Sequence, residues 1–98
     1  MNAIKKQNGS ELLMELEGGI DSTAAPELNQ VLDESLDGIE SLILDFQKVD
    51  YISSAGLRVL LVTFKEMTKK GTMVIRNVNN NVMDIFTMTG FVNILTIE

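Results

Sequence analysis

The stretch Ser41-Leu42-Ile43-Leu44-Asp45-Phe46 is a short apolar run set between two segments of helical period. A run of that length reads as a strand, and apolar residues at successive positions suit a central strand covered on both faces. Such a strand needs paired neighbours and a layer of helices against the sheet. The rest of the chain supplies both.

Upstream, Asn8-Gly9 is the strongest local turn signal, because both residues tolerate the positive φ of a type I′ hairpin. It is expected to join a short strand over Ala3–Gln7 to a second over Glu11–Glu17. In the second, Leu12, Met14 and Leu16 alternate with Glu11, Leu13, Glu15 and Glu17, so one face is buried and the other largely solvated. Gly18-Gly19 ends that strand. Asp21-Ser22-Thr23 then offers helix-capping side chains, and Pro26 is tolerated in a first turn. Leu28, Val31, Leu32 and Leu36 form the apolar stripe of a first helix, which Asp37-Gly38 stops.

Downstream of the central run, Leu57, Leu60, Leu61, Phe64 and Met67 mark a second helix. Lys69-Lys70 sit in its last turn with Gly71 just beyond, as the dipole and C-cap preferences require. Met73-Val74-Ile75 is a third buried strand. Asn79 to Thr89 is a short helix with Val82, Ile85 and Phe86 inward and Gly90 as its stop. Ile94 to Ile97 completes the pattern as a last short strand. The expected fold is α/β: a mixed, mostly parallel sheet with helices packed against it, in the order β-β-α-β-α-β-α-β.

Composition limits the chemistry. The chain has 98 residues, enough for one core, and is expected to be a single domain over 1–98. It has no cysteine and no histidine, which removes thiol chemistry, cysteine metal sites, the commonest general base and the commonest metal ligand. No catalytic residue, metal ligand or cofactor is expected, and the chain is not read as an enzyme. The net charge of −6 disfavours both nucleic acid and anionic membrane surfaces. The longest aliphatic stretch, Val59–Val62, has four residues, against about 20 for a membrane span. The N-terminus carries no apolar signal-peptide core, so a cytoplasmic protein with a protein partner is expected. The six methionines are expected mainly as adaptable core fillers.

One turn carries chemical information: Ile52-Ser53-Ser54-Ala55-Gly56 follows the region of the buried strand and opens the second helix. Ser54 is placed to be the N-cap, which is the ordinary use of a serine there. Ala55 and Gly56 are small, so the backbone can be approached closely. An anion at this point would meet free helix N–H groups, and Arg58, one turn along, could reach it. A nucleophile elbow needs flanking glycines and a histidine, and a P-loop needs more glycine and a Lys-Ser/Thr pair, so neither fits.

The segment Asp50-Tyr51-Ile52-Ser53-Ser54-Ala55-Gly56-Leu57-Arg58-Val59-Leu60-Leu61 resembles the signature of the anti-sigma-factor antagonist family, the STAS domains. Leu16-Glu17-Gly18-Gly19-Ile20-Asp21-Ser22-Thr23-Ala24-Ala25-Pro26-Glu27-Leu28 resembles a second element of the same family, and the element order agrees. The family's usual turn is Asp-Ser-Ser/Thr-Gly. By that resemblance Ser54 takes the phosphoacceptor's place, Ser53 that of the Asp, Ala55 that of the second hydroxyl residue and Gly56 that of the Gly. Ser53 is a secondary candidate acceptor. Asp21 matches an upstream acidic residue, with a helix-capping role and a partner-contact role both open. Ala55, Val59 and Val62 lie off the main stripe of the second helix, and either widen its core face or meet a partner.

The resemblance implies a partner switch. The unmodified protein binds an anti-sigma factor that is also a serine kinase, freeing the sigma factor; phosphorylation of Ser54 releases the complex and a phosphatase resets it. Asp21, Ser53, Ala55, Gly56 and Arg58 are the implied partner-binding residues. Two other uses stay open: a constitutive STAS adaptor in a signalling assembly, and a STAS domain sensing a nucleotide or lipid.

Overall fold

A computed structural model describes residues 1–98. Strand β1 (Asn2–Asn8) and strand β2 (Glu11–Glu17) form the expected antiparallel hairpin. Helix α1 (Ala24–Ser35) leads to β3 (Ser41–Lys48), and helix α2 (Ser54–Thr68) leads to β4 (Thr72–Arg76). Helix α3 (Asn80–Thr89) and a 3₁₀ turn at Phe91–Asn93 follow. The four strands lie in sequence order, β1-β2-β3-β4, with β2, β3 and β4 parallel.

That order decides where the core sits. Two right-handed crossovers stepping the same way across a sheet put both helices on one face. The register agrees. Leu12, Leu42 and Met73 form one cross-strand row, Met14, Leu44 and Ile75 the next, and all six are buried. Phe46 continues that face and meets Phe86 of α3, with ring centroids 6.3 Å apart, so α3 joins the same layer. Leu28 and Leu32 of α1 and Leu57, Leu60 and Met67 of α2 close the core from above.

The opposite face has no covering layer. It carries the rows Lys6, Leu13, Ile43, Val74 and Ile4, Glu15, Asp45, Arg76. β3 is therefore covered on one face, where its apolar run predicts two. Ile43 is half-buried by its cross-strand neighbours Leu13 and Val74.

Three local expectations also shift. The hairpin loop is Gly9-Ser10, with Asn8 still paired to Glu11, and positive φ falls on Gly9 alone (64°), the pattern of a type II′ rather than a type I′ turn. The last strand reduces to a single parallel bridge, Ile75 with Ile97, because the chain spends Phe91–Asn93 in a 3₁₀ turn and reaches the β4 edge only at its end. Gly71 does not close α2 with a left-handed cap. Its φ lies outside the positive region, and the helix ends on Lys69 in a right-handed conformation. Gly71 is small because it lies against the Glu40 carbonyl. Of the methionines, Met14, Met67 and Met73 fill the core as expected, while Met88 stands out in solvent.

Candidate functional site

The turn and the first helix's entry come together through the backbone. The loops that follow β2 and β3 run side by side, extending the parallel pairing past the strand ends. Gly18 N–H donates to the Lys48 carbonyl (2.9 Å), Ile20 N–H to the Tyr51 carbonyl (2.8 Å) and Ser53 N–H to the Ile20 carbonyl (2.8 Å). Ile20 and Ile52 pair as an isolated bridge, and both side chains are buried. Asp21-Ser22 and Ser53-Ser54 thus open two adjacent helices at the same edge of the sheet.

Ser53, not Ser54, is the N-cap of α2. Its backbone is extended (φ −85°, ψ 170°) and its Oγ accepts from Gly56 N–H at 3.2 Å. Two consecutive serines before a helix leave the cap ambiguous by one residue in sequence. The structure assigns the extended residue to the cap and the next to the first helical position. Ser54 is exposed, and its hydroxyl has no part in the cap. This separation has a thermodynamic signature. Ser53→Ala should cost about 1 kcal/mol of stability through loss of the cap, while Ser54→Ala should stay within about 0.5 kcal/mol of the parent. Urea unfolding of the two variants checks it; equal losses would contradict the assignment.

Asp21 caps α1. Its Oδ1 accepts from Thr23 N–H (3.0 Å) and Ala24 N–H (2.8 Å), and its carbonyl accepts from Ala25 N–H (3.0 Å). The capping role left open in the sequence is therefore filled, and the residue remains exposed.

Gly56 is buried at the centre of the junction. A Cβ there would stand 2.8 Å from Ile20 Cγ2, 2.8 Å from Ile52 Cγ1 and 3.2 Å from the Ile20 carbonyl oxygen. Glycine lets the first turn of α2 sit directly on the bridge between the two loops.

Beside the turn, α1 and α2 leave an open groove of about 700 Å³. Ser22, Ala25, Pro26 and Asn29 form its α1 wall, and Ser54, Ala55, Arg58, Val59 and Val62 its α2 wall. Ala55 and Val59 are half-buried and Val62 is 45% exposed; all three line the groove, and Val59 also packs against the core, so this face of α2 widens the core and borders the groove at once. Sequence reasoning missed the α1 wall. The sequence marked only the α2 wall, because positions 55, 58, 59 and 62 share a helical face that the main apolar stripe does not use. Of the predicted site residues, Ser54, Ala55 and Arg58 line the groove, while Ser53, Gly56 and Asp21 build the turns that frame it.

No group of three or more acidic residues is arranged to hold a metal ion, and no helix is long and apolar enough to cross a membrane.

A sheet of this order, with its helix entries tied together at one end of the strands, is an architecture shared with a known domain family. The chain belongs to the STAS domain family, whose model matches residues 2–98. It is 30% identical to the anti-sigma-B factor antagonist of Bacillus subtilis over 99 aligned positions, which span 100% of this chain and 91% of that protein. Its fold matches an anti-sigma factor antagonist from Mycobacterium paratuberculosis with a TM-score of 0.87 at 20% identity, over 98% of this chain and 83% of that one. It also matches the Bacillus cell fate determinant SpoIIAA, solved in the phosphorylated form, with a TM-score of 0.74 at 14% identity, over 99% of this chain and 91% of that one.

Proposed function

We propose that this chain is an anti-sigma factor antagonist, working as one STAS domain over residues 1–98 in the cytoplasm and switched by phosphorylation of Ser54. One observation carries the reading. Ser54 is the exposed hydroxyl at the first helical position of α2, left free by the cap on Ser53 and set at the mouth of the α1–α2 groove. The family membership and the full-length likeness to an anti-sigma-B factor antagonist support it.

In this reading the groove and its rim, with Asp21, Ser53, Ala55, Gly56 and Arg58, meet an anti-sigma factor that is also a serine kinase. Ser54 Oγ attacks the γ-phosphorus of ATP, the hydroxyl proton passes to a base of the kinase, and ADP leaves. A phosphatase hydrolyses the ester and restores the hydroxyl. The chain is the substrate of these reactions; the nucleotide and its magnesium belong to the kinase.

The electrostatics favour release rather than unfolding. A phosphoserine brings about −1.5 to −2 charge. At the first position of a helix that charge faces the positive end of the dipole, so the fold accommodates it. The partner does not, because a dianion now occupies the groove's mouth on a protein already at −6. A penalty of about 1.4 kcal/mol weakens binding tenfold.

The test is direct. Incubation with the cognate kinase and ATP, followed by peptide mapping, should place phosphate on Ser54 and leave Ser53 unmodified. Ser54→Asp should weaken binding to the unmodified protein's partner about tenfold, and Ser54→Ala should bind as the parent does. Equal affinity of the Asp and Ala variants would overturn the charge switch, and an unmodified Ser54 would return the chain to the adaptor class.

A further inference from the structure

Arg58 has an assignment that the partner switch does not supply. It is exposed and lines the groove together with Ser54, where it is the only charged side chain among the lining residues. The ion pairs of the structure, Lys6 with Glu15 and Lys48 with Glu17, leave it unpaired. No acidic residue lines the groove to hold it.

Its place on α2 matters. Ser54 and Arg58 are four apart in one helix, so they are stacked neighbours on one face. Helical side chains lean toward the N-terminus, so a long arm from position 58 covers the turn that begins at position 54. Val62, a further turn along on the same face, is too far down the helix to interfere. Arginine presents a planar fork that matches two phosphate oxygens at once.

We propose that Arg58 is the intramolecular counter-ion of phosphorylated Ser54. In the unmodified protein its guanidinium is free to meet a carboxylate of the partner. Once Ser54 is phosphorylated, the guanidinium folds back along the helix onto the phosphate. The modification then acts twice: it adds negative charge at the groove mouth, and it withdraws the groove's single cation from the partner. This rests on the phosphoacceptor role of Ser54, but the two can fail separately.

To keep them separate, phosphoserine is installed at position 54 by codon reassignment, with no kinase involved. The readout is the phosphorus NMR titration of the phosphate's second ionisation, in the parent and in Arg58→Gln and Arg58→Lys. A cation held beside the phosphate stabilises the dianion, so the parent should titrate lower than Arg58→Gln by about half a pH unit, the size of an exposed ion pair. Arg58→Lys should fall between them, because it keeps the charge and loses the fork. The difference should shrink in molar salt. Thermal melts of the three proteins should agree, since position 58 is exposed. Superimposable titrations of parent and Arg58→Gln would overturn the proposal, whatever a kinase does to Ser54. Conversely, failure of any kinase to modify Ser54 would sink the functional reading and leave this measurement standing.

Discussion

Gly71→Ala should destabilise this protein by on the order of 3 kcal/mol, since a Cβ there meets a shorter contact than at any other glycine. A Cβ at this position would fall 1.7 Å from the Glu40 carbonyl oxygen, 2.6 Å from its carbon and 2.9 Å from Glu40 Cα. All three are backbone atoms, so no rotamer change relieves the overlap. The backbone cannot retreat cheaply either. Thr72 N–H donates to that same carbonyl at 2.9 Å, Glu40 N–H donates to Ser10 at 2.8 Å, and Gly71 N–H closes α2 on Met67 at 2.7 Å. Relief means separating the start of β4 from the start of β3. For a domain of this size the loss corresponds to a fall in Tm of about 12–24 °C. Calorimetry of the variant checks this; a shift below about 4 °C would show that the β3–β4 start slides freely.

Gly56→Ala should also destabilise, by about 1–2 kcal/mol, but for a reason that reaches the site. Two effects oppose each other. Alanine inside a helix gains about 1 kcal/mol over glycine from backbone entropy and propensity. Against this, the new methyl meets Ile20 Cγ2 and Ile52 Cγ1 at 2.8 Å, and both side chains are buried with no room to turn. Overpacking of that kind costs about 1–3 kcal/mol, and the Ile20 carbonyl at 3.2 Å adds a contact that side-chain motion cannot relieve. Packing wins. The structural response should be a lift of the first turn of α2 away from the Ile20–Ile52 bridge, carrying Ser54 with it. Amide exchange at Ile20 and Ser53, the two donors of that junction, should therefore quicken more than exchange at Leu44 in the sheet centre. Uniform change at all three would mean that only global stability had moved.

Most of the architecture was legible because period alone separates the elements. Leu12, Met14 and Leu16 alternate; Leu57, Leu60, Phe64 and Met67 do not. The misreadings have physical causes. The run Leu42-Ile43-Leu44 is as apolar as a strand buried on both faces, yet Ile43 is sheltered only sideways, by Leu13 and Val74. Hydropathy cannot distinguish a covering layer from good neighbours in the same sheet. Ile94–Ile97 is too short to show whether it pairs along its length or touches once. At Asn8-Gly9-Ser10, one glycine serves a hairpin starting at either of two positions, and pairing of Asn8 with Glu11 chose the later one.

The site was legible as a location and less so as a division of labour. Two motifs pointed to the pair of loops that the structure brings side by side at the groove. Neither indicated that three backbone hydrogen bonds fasten those loops to each other, because main-chain pairing beyond a strand's end leaves no mark on side-chain type. Nor could spacing decide between Ser53 and Ser54 for the cap. The groove's α1 wall, from Ser22 to Asn29, became visible only when α1 and α2 were set side by side.

That fastening bears on how such a domain changes over generations. Position 53 asks for an acceptor oxygen over the first turn of α2, and serine and aspartate meet that demand about equally well. Position 55 lies half-buried at the groove edge and takes no part in the cap. The presentation of Ser54 is held by main-chain atoms of Ile20, Tyr51 and Ser53, which every amino acid but proline provides. Mutation can therefore rewrite the letters on both sides of Ser54 while its posture is inherited unchanged. The posture of position 54 is thus a property of the chain's path, and side-chain change at its neighbours leaves that path in place.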